Sequence, residues 1–372
     1  MIKIIIQNCY TTIMDFKAFY ATENDDKRRI DKILRHLLPF QNLSGIYKLI
    51  RKGLVKVNGQ KTKPENLINK GDEIKIASFL LENSQANEKT TEKSTDTVIN
   101  PESRNNHDLK IAENDKKNGT NFELSFDNQF KLLKPVFQNE NILILNKPYG
   151  ICVHGKDESL DAIVKNFYKM KESTSLSFIP GPLHRLDERT TGLLCFSWSL
   201  KGARWFSENI KNHSIKKEYL AIVEGKMTEN QSWTDYIDSE NKNADKTSFK
   251  TVKIQNSKSD ENSNYKEAKT DAFPLCFGKY KNHDFTLVKF LIHTGRTHQI
   301  RSQSAEHDFP LLGDTSYGGK FIEGKRKFFL HAYRLSFPEN PLGLPESIKC
   351  NPDDFFINFL KTNNCEINNI IL

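Results

Sequence analysis

Two polar clusters in the second half of this 372-residue chain carry the residue types that do chemistry. The first reads His184-Arg185-Leu186-Asp187-Glu188-Arg189-Thr190-Thr191-Gly192-Leu193-Leu194. The second reads Thr294-Gly295-Arg296-Thr297-His298-Gln299-Ile300-Arg301, and Gly313-Asp314 and Tyr317-Gly318 follow it. Each sets charge, hydroxyls and glycine beside an apolar run, where loops hold functional groups on a rigid frame. An acid such as Asp187 stays ionised inside a cleft only when a cation or hydrogen-bond donors stand close by, and the arginines of the second cluster are the candidates. A carboxylate held that way can attack as a nucleophile or stabilise positive charge, as in glycoside cleavage.

Other chemistries fare worse. His184, His293, His298 and His331 raise the question of a metal. However, the five-residue step from His293 to His298 does not put two imidazoles on one helix face, and no cysteine or carboxylate ligand pattern accompanies them. They read as hydrogen-bonded loop histidines. The six cysteines (Cys9, Cys152, Cys195, Cys276, Cys350 and Cys365) include no C-x-x-C pair. They read as reduced, mostly buried thiols, neither a disulfide framework nor a zinc site. Neither GxGxxG nor a P-loop occurs, so no cofactor is expected.

The elements that position these clusters follow from hydrophobic spacing. Ile142–Leu145 predicts a strand ending in the turn Lys147-Pro148-Tyr149-Gly150, and Leu160, Ile163, Val164 and Phe167 predict a helix. Strands follow at Leu193–Ser197 and Tyr219–Glu224, separated by an amphipathic helix near Leu200–Ile210. Phe285–Ile292 is apolar on both faces and reads as a central strand; Phe328–Phe337 supplies another. The body is therefore expected to be α+β, with a mixed sheet, flanking helices and a central cleft.

Residues 1–81 are a different kind of object. They hold 15 basic and 8 acidic residues, most of the chain's net charge of +8. Ile30, Ile33, Leu34 and Leu37 predict one helix, and Ile46, Leu49 and Ile50 a second that stops at Gly53. Arg28, Lys32 and Arg35 on the first, and Lys48, Arg51 and Lys52 on the second, form a basic surface suited to phosphates. Asn58-Gly59 predicts a two-residue hairpin turn, and Glu73–Ala77 a strand. Residues 82–121 contain no aromatic residue and few aliphatic ones, so they read as a flexible linker. Residues 238–267, within the body at 122–372, read as a polar insertion. No apolar run approaches the ~20 residues that cross a bilayer, and nothing resembles a signal peptide, so a cytoplasmic protein is expected.

Two resemblances sharpen this. Arg28 to Ala77, through RIDKIL, the second basic helix, GLVKVNG and GDEI, resembles the S-four RNA-binding domain. HRLDERTTGLL resembles the catalytic motif of the RluA-type pseudouridine synthases, which typically reads HRLDxxTSGLL. NKPYGICVHG, KKEYLAIVEG, TGRTHQIR, LLGDTSYGG and FFLHAYRLSF match that family's other marks in order, over about Phe137 to Leu360. The resemblance implies Asp187 as the catalytic aspartate, Tyr219 against the target uracil and Arg301 paired with Asp187. It also implies that Arg185 fills the gap left by the flipped base, with His184 and Arg296 among the residues on substrate RNA. Thr191 replaces the usual serine, and Ser302-Gln303 the usual Val-His.

The expectation is an RNA pseudouridine synthase, most plausibly monomeric, that flips a uridine out of large-subunit ribosomal RNA without cofactor or metal. A tRNA-modifying synthase and a noncatalytic RNA-binding or ribosome-assembly factor are the alternatives. If the N-terminal unit grips phosphates, deleting residues 1–121 should raise KM and flatten the salt dependence while leaving the modified nucleotide unchanged. Assays of both proteins on one RNA at several salt concentrations check this.

Overall fold

The computed structural model describes residues 15–81, 135–155, 158–170, 175–238, 252–255, 264–320, 322 and 328–365. The linker expected at 82–121 and most of the insertion expected at 238–267 lie outside them. The described residues form two compact units: 15–81 with 175–178, and 135–170 with 179–365.

The first unit is a small α/β structure. Strands β1 (Phe16–Tyr20), β3 (Val55–Val57), β4 (Gln60–Lys61) and β6 (Glu73–Ala77) form a sheet in the order β1-β6-β3-β4. Strands β2 (Arg28–Arg29) and β5 (Leu67–Ile68) pair separately. Helices α1 (Ile30–Leu37) and α2 (Leu43–Arg51) bury Ile30, Ile33, Leu34, Ile46 and Ile50 against Ile74 and Ile76. The hairpin turn is the predicted one: Asn58 and Gly59 both take positive φ, 49° and 77°, as a type I′ turn requires.

Lys32, Arg35, Lys48, Arg51 and Lys52 are exposed, as their spacing predicts. Arg28 is not. It precedes α1, lies half-buried on β2 and donates to the Ser177 carbonyl at 2.9 Å, so its place on the basic helical face is corrected. Residues 175–178 join this unit through Asp25, which is fully buried and accepts from Ser175 Oγ, Ser177 Oγ and the Leu176 amide. Burial opposes the Asp25 charge, yet these donors and Thr22 hold its carboxyl below the ordinary range.

The second unit is built on one mixed sheet. Its strands are β7 (Pro135–Gln138), β8 (Ile142–Lys147), β9 (Thr191–Ser197), β10 (Lys216–Glu224), β11 (Gln231–Asp238), β12 (Ile254–Gln255), β13 (Tyr265–Tyr280), β14 (His283–Ile292), β15 (Leu330–Ser336) and β16 (Ser347–Lys349). The order is β12-β11-β13-β14-β10-β15-β9-β8-β7, and β16 also pairs with β15. Only β9 and β15 run parallel. The helices are α3 (Leu160–Met170), α4 (Leu200–Lys211), α5 (Gln299–Glu306) and α6 (Asp354–Thr362). Central strands are apolar on both faces because both are covered. Tyr219, Val288 and Phe290 share a core with Phe206 of α4 and Ile300 of α5, while Leu220, Ile222 and Leu287 share one with Phe356 and Leu360 of α6.

One expectation about the cysteines is corrected. Cys276 on β13 and Cys365 beyond α6 form a disulfide, their Cα atoms 5.8 Å apart, a separation typical of such bonds. Nothing in their spacing, 89 residues, marked them as partners. Cys195 is a buried thiol in the core, as expected.

The junction of β9 and β15 fixes the first polar cluster to the sheet. Gly192 has φ +104°, and a Cβ there would sit closer than van der Waals contact to the Ala332 carbonyl, so only glycine fits. Beside it, Thr191 Oγ1 lies 2.8 Å from His331 Nδ1, and His331 Nε2 lies 2.7 Å from the Cys350 carbonyl. That carbonyl can only accept, so Nε2 carries the proton and the threonine hydroxyl donates to Nδ1. Serine would serve equally, which is why Thr191 is a harmless departure. Thr191→Val should leave a buried ring nitrogen unpaired and cost about 1–3 kcal/mol, whereas Thr191→Ser should cost far less. Thermal melts of the two variants separate these outcomes.

Candidate active site

The two polar clusters meet at one cleft of about 530 Å³, lined by Leu183, Asp187, Lys217, Tyr219, Ile292 and Arg296 among others. The Asp187 loop is clamped from below. Lys147 at the end of β8 is fully buried and donates from Nζ to the carbonyls of Pro148 at 2.9 Å and Glu188 at 2.8 Å. The Gly150 amide also donates to the Glu188 carbonyl, at 3.0 Å. Burial pulls the Lys147 pKa down to about 8, so at neutral pH the ammonium still holds both strands of the turn.

Opposite the loop stands α5. His298 precedes its first turn with φ 54°, and the Gln299 side chain fastens the approach by accepting from Thr294 Oγ1 at 2.8 Å and from the Arg296 amide at 2.9 Å. Gln303, fully buried on the same helix, bonds Thr270 and Asp235 at 2.7 and 2.6 Å. Ser302 bonds the carbonyls of His298 and Gln299. Gln303 thus ties α5 to β11 and β13 while Ser302 bonds within its own helix, so the departure from Val-His leaves Arg301 in place.

Arg301 is buried and binds two acids. Its Nε and Nη2 donate to both oxygens of Asp314 at 2.6 and 2.9 Å, and its Nη1 reaches Asp187 Oδ2 at 3.3 Å. The guanidinium also lies over the rings of Tyr317 and Phe328, 5.0 and 4.6 Å from their centroids. Burial works against its charge, but the Asp314 bonds more than compensate and raise its pKa.

His298 completes the setting, with Nε2 3.7 Å from Asp187 Oδ2 and Nδ1 2.9 Å from the Tyr317 hydroxyl. That hydroxyl oxygen also accepts from the Val252 amide, at 2.8 Å. Burial lowers the His298 pKa, which keeps the ring neutral.

Tyr219 is 7% exposed on β10 and lines the cleft beside Asp187. Burial, with the Asp187 charge adding to it, raises its phenol pKa, so it stays neutral. The arrangement therefore offers a charged, oriented carboxylate next to a neutral aromatic wall.

Residues 141–306 match the family described as RNA pseudouridylate synthase, and residues 28–74 match the S-four domain. That match places residues 141–306 in the RNA pseudouridylate synthase family. Among its relatives are the ribosomal large subunit pseudouridine synthases C of Escherichia coli, 26% identical, and Haemophilus influenzae, 28% identical. These alignments cover 86% and 87% of this chain and 88% of each relative. In structure it resembles the human protein RNA Pseudouridylate Synthase Domain Containing 4, with a TM-score of 0.51, 22% identity and coverage of 65% of this chain and 97% of that one. That likeness concerns the fold.

Asp187, Tyr219, Arg185, His184 and Arg296 all line the cleft of this synthase, and Arg301 stands directly behind Asp187. His184 does so as a wall residue. Its Nε2 accepts from the Cys195 amide at 3.1 Å, its ring lies parallel to Phe206, and burial takes its pKa down to about 3. Any contact it makes with RNA is therefore an uncharged one. Of the other histidines, His293 bonds Asp271, His298 bonds Tyr317, and His331 bonds Thr191 and the Cys350 carbonyl.

Asp314 was missed as a site residue although Gly313-Asp314 stood out in the sequence. It is the stronger partner of Arg301, and it keeps the guanidinium charged and aimed whether or not Asp187 is engaged. Asp314→Asn should therefore destabilise the fold by roughly 3–5 kcal/mol, the cost of stranding a buried charge. Asp187→Asn, which removes only the longer contact at the half-exposed end, should cost much less. Chemical denaturation of both variants checks the order.

Proposed function

We propose that this enzyme converts specific uridines of large-subunit ribosomal RNA to pseudouridine, with Asp187 as its catalytic residue. One observation carries the assignment of Asp187: it is the one carboxylate among the residues lining the main cleft, and it sits against Arg301 and His298 beside Tyr219. The choice of ribosomal RNA is supported by the names of the relatives and by the basic S-four unit.

The reaction breaks the bond between ribose C1′ and uracil N1, turns the base, joins C1′ to C5, and moves a proton from C5 to N1. It consumes no redox equivalent and no phosphate. A stacked base is out of reach, so the uridine is flipped into the cleft at a cost of a few kcal/mol. In this reading Arg185, exposed at the cleft rim, fills the vacated stack, and Tyr219 supports the flipped ring. Asp187 either attacks C1′ or stabilises the positive charge that develops there. Arg301 holds and aims Asp187, a task suited to a planar fork. The synthase works as a cytoplasmic monomer.

Mapping pseudouridines in total RNA from cells with and without the gene tests the substrate. Sites lost from large-subunit ribosomal RNA support the reading, whereas sites lost only from tRNA overturn it. For the residue, Asp187→Asn should abolish product while RNA affinity persists. Turnover by a folded Asn variant within tenfold of wild type would remove Asp187 from the reaction.

A further inference from the structure

The cleft holds cations that the reaction does not use. Lys217 lies on β10, two residues before Tyr219, and lines the same cleft wall. It is half-buried, and no carboxylate among the described residues forms an ion pair with it. The charged group it feels most is another cation, Arg296, and burial together with that neighbour lowers its pKa to about 8. Arg296 is itself pinned, its Nε donating to the Glu267 carbonyl at 2.8 Å. Gly295 leaves room for the ammonium: a Cβ built there would stand 3.3 Å from Lys217 Nζ. Lys211 at the end of α4 is a further cation in the lining of the cleft, and among the described residues Asp187 is its one acid.

A half-buried ammonium that feels a second cation is repelled by it, and burial without a counter-charge adds to the cost. A fold keeps such a pair where an incoming anion completes it. By contrast, Arg301, the buried cation of the reacting centre, is doubly neutralised by protein. We infer that Lys217 and Arg296 form a binding site for one backbone phosphate of the RNA, at the target nucleotide or next to it. This rests on the function proposed above and adds to it the group that anchors the flipped strand. Lysine provides a compact point charge and Arg296 a fixed fork, a pair suited to the non-bridging oxygens of a phosphodiester.

The test is a binding titration of the full-length protein and its Lys217→Met and Lys217→Arg variants. The probe is a large-subunit ribosomal RNA fragment bearing the mapped uridine, at several potassium chloride concentrations. Product formation by the wild type on the same fragment reports the parent function separately. Lys217→Met should weaken binding about ten- to hundredfold, the worth of one hydrogen bond to a charged group. It should also flatten the slope of log affinity against log salt by about 0.7, the loss of one contact to a single strand. Lys217→Arg should restore most of both.

Melting of Lys217→Met should stay level or rise, because a buried unpaired charge has been removed. Replacing phosphates one at a time by neutral methylphosphonate should reveal one linkage that weakens the wild type about tenfold and the Met variant no further. An unchanged salt slope, a lowered melting temperature, or methylphosphonate losses that simply add to the variant's would each overturn the site and make Lys217 a wall residue.

Discussion

The buried guanidinium of Arg301 is the interaction on which the catalytic unit depends. A charge in that position is tolerable only with its donors occupied, and the chain occupies them from three directions. Asp314 takes two donors in a fork, Asp187 takes a third, and Tyr317 and Phe328 cover the faces. The consequence runs outward. Arg301 must sit on a rigid helix, so α5 is riveted by Gln299 and Gln303 to the sheet edge at β11 and β13. Asp187 must meet it across the cleft, so the loop before β9 is clamped by Lys147 and its strand is seated by Gly192. Each restraint uses a buried polar group whose partners are present, the condition under which such networks specify one arrangement.

Asymmetry in the Arg301 contacts has a chemical use. The tight bidentate pair with Asp314 fixes the guanidinium, while the longer contact leaves Asp187 part of its hydrogen-bonding capacity for a substrate. An aspartate bound as tightly as Asp314 would be charged but occupied. One left without a partner in the cleft would have nothing to aim it. Sharing one arginine between a structural and a reactive carboxylate resolves that conflict, and His298, kept neutral by burial, gives Asp187 a second neighbour at 3.7 Å.

Much of this was legible in the residues. Helical spacing placed α1 and α2, the Asn58-Gly59 pair gave its turn type, and a doubly apolar run marked β14 as central. Asp187, Tyr219 and Arg301 could be named because their motifs keep order along the chain. What escaped has physical reasons. Strand β1 is short and only partly buried, so it lacks a clean alternation, and β13 runs through Pro274, a residue that argues against a strand except where a register shift accommodates it. The Cys276–Cys365 pairing joins positions that meet only once β13 and α6 are packed. Asp314 is a lone acid in a loop, and its partner is specified by the fold, not by spacing.

The cleft thus contains cations in two electrostatic states, and the difference separates what the fold prepares from what the substrate completes. Arg301 is satisfied before RNA arrives, so its orientation costs nothing when the reaction begins; that is preorganisation in the sense that matters for rate. Lys217 has no carboxylate partner among the described residues and feels the charge of Arg296, so in the phosphate site inferred above an incoming anion relieves that repulsion and acts on affinity instead of on the chemical step. Exchanging the two assignments would fail on both counts. A Lys217 neutralised by protein would bind phosphate weakly, and an Arg301 awaiting its counter-charge would hold Asp187 too tightly to leave it reactive. The placement of Asp314, thirteen residues after Arg301, is therefore as much a determinant of this site as the aspartate that faces the substrate.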